Sequence, residues 1–160
     1  MVVATAVLWW PRPASAVAIS APSGPVSIGT VATTAGGTVI SAQLGPVTAS
    51  DNGIIILLGS FDATVSINAT SFTTGSGSSY ETIPRASVKY WSGNATSHSG
   101  SCSAGQPTAG QAVDLTQTRP AYSCGGLLTV SATWNPTIVI TLPNPLIAGT
   151  YTATITHSAA

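Results

Sequence analysis

Leu127-Leu-Thr-Val-Ser-Ala-Thr-Trp134, Thr137-Ile-Val-Ile-Thr-Leu142 and Thr150-Tyr-Thr-Ala-Thr-Ile-Thr-His157 are three short runs rich in Thr, Val, Ile and aromatic residues. Asn135-Pro136 separates the first two, and residues 143–149, with two prolines and a glycine, separate the last two. In the third run Tyr151, Ala153 and Ile155 alternate with threonines. A period of two marks a strand with one buried face. Short β-branched runs bounded by Gly, Pro and Asn predict an all-β domain. The expected architecture is an Ig-like antiparallel β-sandwich, with a Greek-key β-barrel as the alternative.

Upstream the pattern repeats. Val17-Ala-Ile-Ser20 is a short first strand, followed by turn residues at 21–25. In residues 37–44, Thr38, Ile40, Ala42 and Leu44 share a face; Gly45-Pro46 breaks the run and a strand resumes at 46–50. Asp51-Asn52-Gly53 reads as a tight turn, with Asp51 as a turn residue. Ile54-Ile-Ile-Leu-Leu58 is apolar throughout. In residues 62–69, Ala63, Val65, Ile67 and Ala69 face inward and Asp62 faces outward. A further strand covers 86–90. Residues 94–120 are the least regular, with 112–115 their one expected strand. No helical period occurs.

The composition limits function. Only 5% of residues are charged, against roughly 25% in ordinary soluble domains. Formal net charge is zero, so the chain has no electrostatic footprint for nucleic acid or an anionic membrane. A surface of Ser and Thr hydroxyls fits a life outside the cell. At the N-terminus, an apolar run at residues 2–10 precedes Ala14-Ser15-Ala16, a small-x-small triplet. The expectation is a signal peptide at 1–16, cleaved before Val17, and one domain at 17–160. No Lys or Arg precedes the run, so the signal is expected to be truncated or Met1 to be an internal start within a longer one. The run is too short for a membrane-spanning helix of about 20 residues. In an exported chain the two cysteines, Cys102 and Cys124, read as a disulfide tying down the irregular segment.

Catalytic chemistry is scarce. The acidic residues are Asp51, Asp62, Glu81 and Asp114, and the histidines are His98 and His157. There is no GxSxG, no P-loop, no GxGxxG and no zinc-ligand spacing. The expectation is therefore no enzyme, no cofactor and no metal, with His157 a structural residue near a strand end. Tyr90-Trp91 is the candidate ligand contact, because aromatic faces stack on sugars and their polar tips tolerate water. Strand alternation puts Tyr90 and Trp91 on opposite faces, so both cannot be core. Asn68-Ala-Thr and Asn94-Ala-Thr match the glycosylation acceptor pattern.

The order of several segments carries a resemblance. Gly29-Thr30, Ala49-Ser-Asp-Asn-Gly53, Gly59-Ser-Phe-Asp-Ala-Thr-Val-Ser66, Phe72-Thr-Thr-Gly75, Trp134-Asn-Pro-Thr137 and Gly149-Thr-Tyr-Thr-Ala-Thr-Ile-Thr-His-Ser158 together resemble secreted WxL-like proteins of Gram-positive bacteria. The resemblance spans most of the chain after residue 16. It implies a β-sandwich and, for true WxL domains, non-covalent attachment to peptidoglycan. Phe61-Asp62-Ala63 and Thr156-His157-Ser158 stand where the Trp-x-Leu motifs would fall, so no wall-binding residue is carried over. The first reading is a secreted or cell-surface binding module without catalysis, with cell-wall polysaccharide, peptidoglycan or a surface protein as partner. A structural subunit that self-associates through an edge strand is the second, and a secreted hydrolase the third.

Overall fold

The Gly and Pro residues that punctuate the sequence line up in space as one shared bend. In the computed structural model, which describes residues 17–23, 37–52, 58–68 and 72–160, β2 (Val39–Gln43) and β3 (Val47–Asp51) flank Leu44-Gly45-Pro46. β7 (Val88–Trp91) and β8 (Ala95–Ser99) flank Ser92-Gly93-Asn94. β12 (Val130–Trp134) and β13 (Thr137–Thr141) flank Asn135-Pro136. Before the bend the order is β10 (Val113–Asp114), β7, β13, β2; beyond it the order is β8, β12, β3, β1 (Val17–Ser20). The same three chains therefore lie side by side on both sides, and the two four-stranded sheets are halves of one long folded sheet.

The bend has a local cause. Pro46 and Pro136 have no amide hydrogen to continue a ladder, and Gly93 takes a positive φ of 72° that costs glycine nothing. The Leu44 amide donates to the Pro136 carbonyl at 2.7 Å, holding two of the connectors together. Buried Ser92 and Gln106 fasten the third: Ser92 Oγ donates to the Gln106 carbonyl at 3.1 Å, and Gln106 Nε2 donates to the Pro120 carbonyl at 3.0 Å.

A third antiparallel sheet forms the opposing layer, in the order β14 (Ile155–Ala159), β4 (Leu58–Ile67), β11 (Arg119–Leu127), β9 (Ser101–Ala104). Strand alternation supplies the facing surfaces. Phe61, Ala63, Val65 and Ile67 of β4 are buried in one core with Val47 and Ala49 of β3, Val130, Ala132 and Trp134 of β12, and Ile138 and Ile140 of β13. The protein is thus an all-β antiparallel sandwich. A small ribbon, β5 (Phe72–Thr73) with β6 (Thr82–Ile83), bridges to Thr152. Among the described residues no helix is long and apolar enough to cross a membrane.

Several sequence expectations are corrected. The run 127–134 is two strands: β11 ends at Leu127, Leu128 turns with φ 64°, and β12 starts at Val130. Residues 94–120 are far from irregular, since β8, β9, β10 and the start of β11 lie there. The last strand begins at Ile155, later than the Thr150 start read from the alternation. Asp51 closes β3, opposite Val17 and Val130, and is 2% exposed. Its Oδ2 accepts the Ser60 amide at 2.9 Å. The proposed signal segment 1–16, residues 54–57 of the apolar run and Ala69 lie outside the described residues.

Cys102 and Cys124 are bonded to each other. They face one another directly across the β9–β11 ladder, with Cα atoms 4.1 Å apart, the narrow spacing of a pair not linked by ladder hydrogen bonds. The bridge joins two neighbouring strands of one sheet.

Candidate functional site

Tyr90 and Trp91 part company at the bend. Tyr90 points into the core and is fully buried, whereas Trp91 is half-buried on the outer face of the β10-β7-β13-β2 sheet. Directly paired residues share a face, so the register defines what surrounds Trp91. Thr137 lies opposite it on β13, and Gln43 lies beyond on β2. The next row is Asp114, Lys89, Val139 and Ser41. Gly93, after the strand, leaves the ring edge open: a Cβ there would sit 3.7 Å from Trp91 Cζ3.

The charges on this face are unequal. Asp114 is held by Arg119, whose Nη2 donates to Oδ1 at 2.8 Å, and by the Thr116 hydroxyl. Those hydrogen bonds, Thr116 first and Arg119 second, hold its carboxyl well below the usual carboxylate range. Lys89 has no ion-pair partner among the described residues and is exposed. The face thus offers one indole, one uncommitted ammonium, hydroxyls from Thr137 and Ser41, and the Gln43 amide. Such groups can stack on a ligand and hydrogen-bond it.

Tyr90 has no ring face to offer such a ligand. Trp134 Nε1 donates to its hydroxyl at 3.3 Å, and the same oxygen lies 3.2 Å from His157 Nε2. Burial pushes the Tyr90 phenol up and the His157 imidazole down to about 4. No sequence pattern announces this cluster, because its members lie on β7, β12 and β14. Tyr122 stacks on Trp134 at 4.9 Å between centroids. Tyr80 is exposed on the turn Ser79–Glu81, whose backbone binds Ile147 and Tyr151.

The other titratable groups are dispersed. Glu81 accepts from Ser76 Oγ at 2.7 Å and from the Ser78 amide at 3.0 Å, which lowers its pKa. His98 Nδ1 donates to the Gly100 carbonyl at 3.2 Å. Asp62 contributes a carboxylate to a shallow cleft of about 240 Å³, whose other polar side chains are Thr64, Ser103, Ser123 and Tyr122. Among the described residues no three His, Cys, Asp or Glu side chains are placed to hold a metal ion.

Comparison of the chain with family models, with curated proteins and with solved structures returned no match.

Proposed function

We propose that this is a secreted or cell-surface binding module without catalysis, which takes a polysaccharide on the outer face around Trp91. The half-buried indole beside an uncommitted Lys89, on an otherwise small and hydroxyl-rich sheet face, carries the reading. A sugar ring presents axial C–H groups to an aromatic face, and its hydroxyls suit Thr137, Ser41 and Gln43. Lys89 favours a polymer with anionic groups, such as uronic acids or phosphodiesters. Export is supported by the Cys102–Cys124 bridge, since such bonds persist in oxidising compartments. The resemblance to WxL-like proteins adds peptidoglycan and its attached polymers as the first substrates to try. A hydrolase would need a second carboxylate at the Asp62 cleft, and its lining has one.

Co-sedimentation with purified cell walls and with insoluble acidic polysaccharide tests the proposal. Trp91→Ala should weaken binding at least fivefold, about 1 kcal/mol or more for a ring that anchors a ligand. Lys89→Ala should weaken it in a salt-dependent way. Tyr90→Phe should bind as the wild type does. Absence of wild-type binding, or equal binding by Trp91→Ala, would refute the assignment.

A further inference from the structure

The outer face of the β14-β4-β11-β9 sheet carries a depression that follows from one irregularity in β11. The β4–β11 register shifts between Pro120 and Tyr122, the mark of a β-bulge. Ala121 and Tyr122 are consecutive, yet both turn inward and are buried. Regular alternation would send one of them outward. Between Pro120 and Ser123 the outer face therefore has no side chain from β11, and the gap is the cleft of about 240 Å³. Asp62, Ser123 and Ser103 form a polar row along one side, since Ser123 pairs with Asp62 on β4 and with Ser103 on β9. Pro120, paired with Thr64, forms the other side.

Both sides are fastened. The Cys102–Cys124 bond ties β9 to β11 one residue away from Ser103 and Ser123. Gln106 Nε2 donates to the Pro120 carbonyl at 3.0 Å, and the Gly105 amide donates to the Ala121 carbonyl at 2.9 Å. A cleft held in this way keeps its shape without a ligand, which lowers the cost of binding one. Asp62 is exposed at the rim, and its carboxylate has no ion-pair or side-chain hydrogen-bond partner among the described residues. Asp114 and Glu81, by contrast, are occupied by their own neighbours.

We infer that this cleft binds a primary ammonium on an aliphatic stem, the group carried by a lysine side chain or a free diamine. The inference is independent of the Trp91 face, which lies on the opposing layer. Three points select this chemistry. The lining holds one carboxylate and no basic side chain, so the complementary group is a cation. A primary ammonium has three donors and no acceptor, which matches the Asp62 carboxylate and the hydroxyls of Ser123 and Ser103; a quaternary ammonium has no N–H to give them. An ion pair open to water contributes little, so a bare charge would not be held. The Pro120 ring, the Ala104 methyl and the Thr64 methyl supply apolar contact for a hydrocarbon stem. The volume lies below the roughly 300–1,000 Å³ of pockets for drug-sized ligands, and suits one unbranched stem.

The test is titration of the isotope-labelled full chain with cadaverine and with Nα-acetyl-lysine methylamide at neutral pH, followed by amide NMR shifts. Both should give saturable shifts confined to residues 62–64, 103–105 and 120–123, with a dissociation constant in about the millimolar range. The tighter of the two identifies the source, a free diamine or a lysyl peptide. Asp62→Asn, an isosteric change at an exposed position, should weaken binding about fivefold, and Ser123→Ala about twofold. Trp91→Ala should bind the amines as the wild type does. Two probes test the chemistry without altering the protein: 1,5-pentanediol has the stem without the charge, and tetramethylammonium has the charge without a donor. Each should bind about fivefold more weakly than cadaverine or not at all. The absence of saturable shifts with both amines overturns the inference. Equal binding by Asp62→Asn, or equal binding of either probe, overturns it as well. Wall co-sedimentation reads the Trp91 face separately, so either site can fail without the other.

Discussion

The Tyr90 hydroxyl, 3.2 Å from His157 Nε2 and accepting from Trp134 Nε1 at 3.3 Å, ties together strands of all three large sheets. Trp134 N–H can only donate, so the Tyr90 hydroxyl is free to donate to an unprotonated His157 nitrogen. Burial depresses the imidazole from 6.5 to about 4. The neutral ring belongs to the fold, and its contribution is complete above pH 6.5.

Stability should therefore fall as pH drops from 6.5 to about 4, because the unfolded chain takes up a proton that the folded chain refuses. The loss is up to about 3 kcal/mol, from the linkage of a shift of this size. Urea unfolding at several pH values would measure it. His157→Phe should flatten the slope in that window. A further decline at lower pH, as Asp114 and Glu81 take up protons, should remain. At pH 7.5, Tyr90→Phe should cost about 1–3 kcal/mol by leaving the Trp134 N–H and His157 without the hydroxyl.

Reducing the Cys102–Cys124 bond, which closes a separation of 22 residues, should destabilise the protein by about 3 kcal/mol in the chain-entropy account. Intact mass should rise by two hydrogens on reduction of the unfolded protein. The bridge lies within an existing ladder, so the Cys102→Ala/Cys124→Ala double variant should keep its far-UV circular dichroism while its melting temperature falls.

Gly100 makes the corner where the chain leaves β8 for β9. Its φ is 95°, and a Cβ there would meet Val130 Cγ1 at 2.8 Å and the Gly125 carbonyl oxygen at 3.0 Å. Gly100→Ala should cost about 1–3 kcal/mol from backbone strain alone, with the steric conflict added. A lowered urea midpoint with an unchanged slope would register this.

Leu128→Gly should have the opposite sign. Relief of the left-handed conformation is worth about 1–2 kcal/mol, partly offset by the greater freedom of glycine in the unfolded chain. The variant should melt at or above the wild-type temperature, which would show that Leu128 is kept in spite of its conformation.

Alternation made much of the sandwich legible. Ala63, Val65 and Ile67 turn inward as the sequence pattern expected, and Ile40 and Ala42 share the inner side of β2. The β11–β12 connection was hidden because Leu128-Thr129, which carries the chain from one sheet to the other, has none of the Gly, Asn or Asp that normally announces a turn. β8 and β9 were hidden because Thr, Ser and His on their exposed faces blur the apolar period. Asp51 read as a turn residue from its Asn-Gly neighbours, yet its carboxylate is buried against the Ser60 amide, a contact that only the adjacency of β3 and β4 creates. The separate destinies of Tyr90 and Trp91 followed from parity. Which of them was buried depended on Trp134 and His157, each more than forty residues away.

The shared bend couples the lengths of three connectors that are far apart in the sequence. Deleting one residue between Trp134 and Thr137 would turn every side chain of β13 over, sending Ile138 and Ile140 to solvent and Val139 inward. Inserting two residues would restore the faces but slide β13 against both β2 and β7, which pair with it on either side. Only the same even-numbered change at 44–46, 92–94 and 135–136 together would leave every ladder in step. Viable length variation at the bend is therefore confined to simultaneous steps of two, and a single-residue change at 135–136, between the two interior strands β12 and β13, should disturb the most ladders.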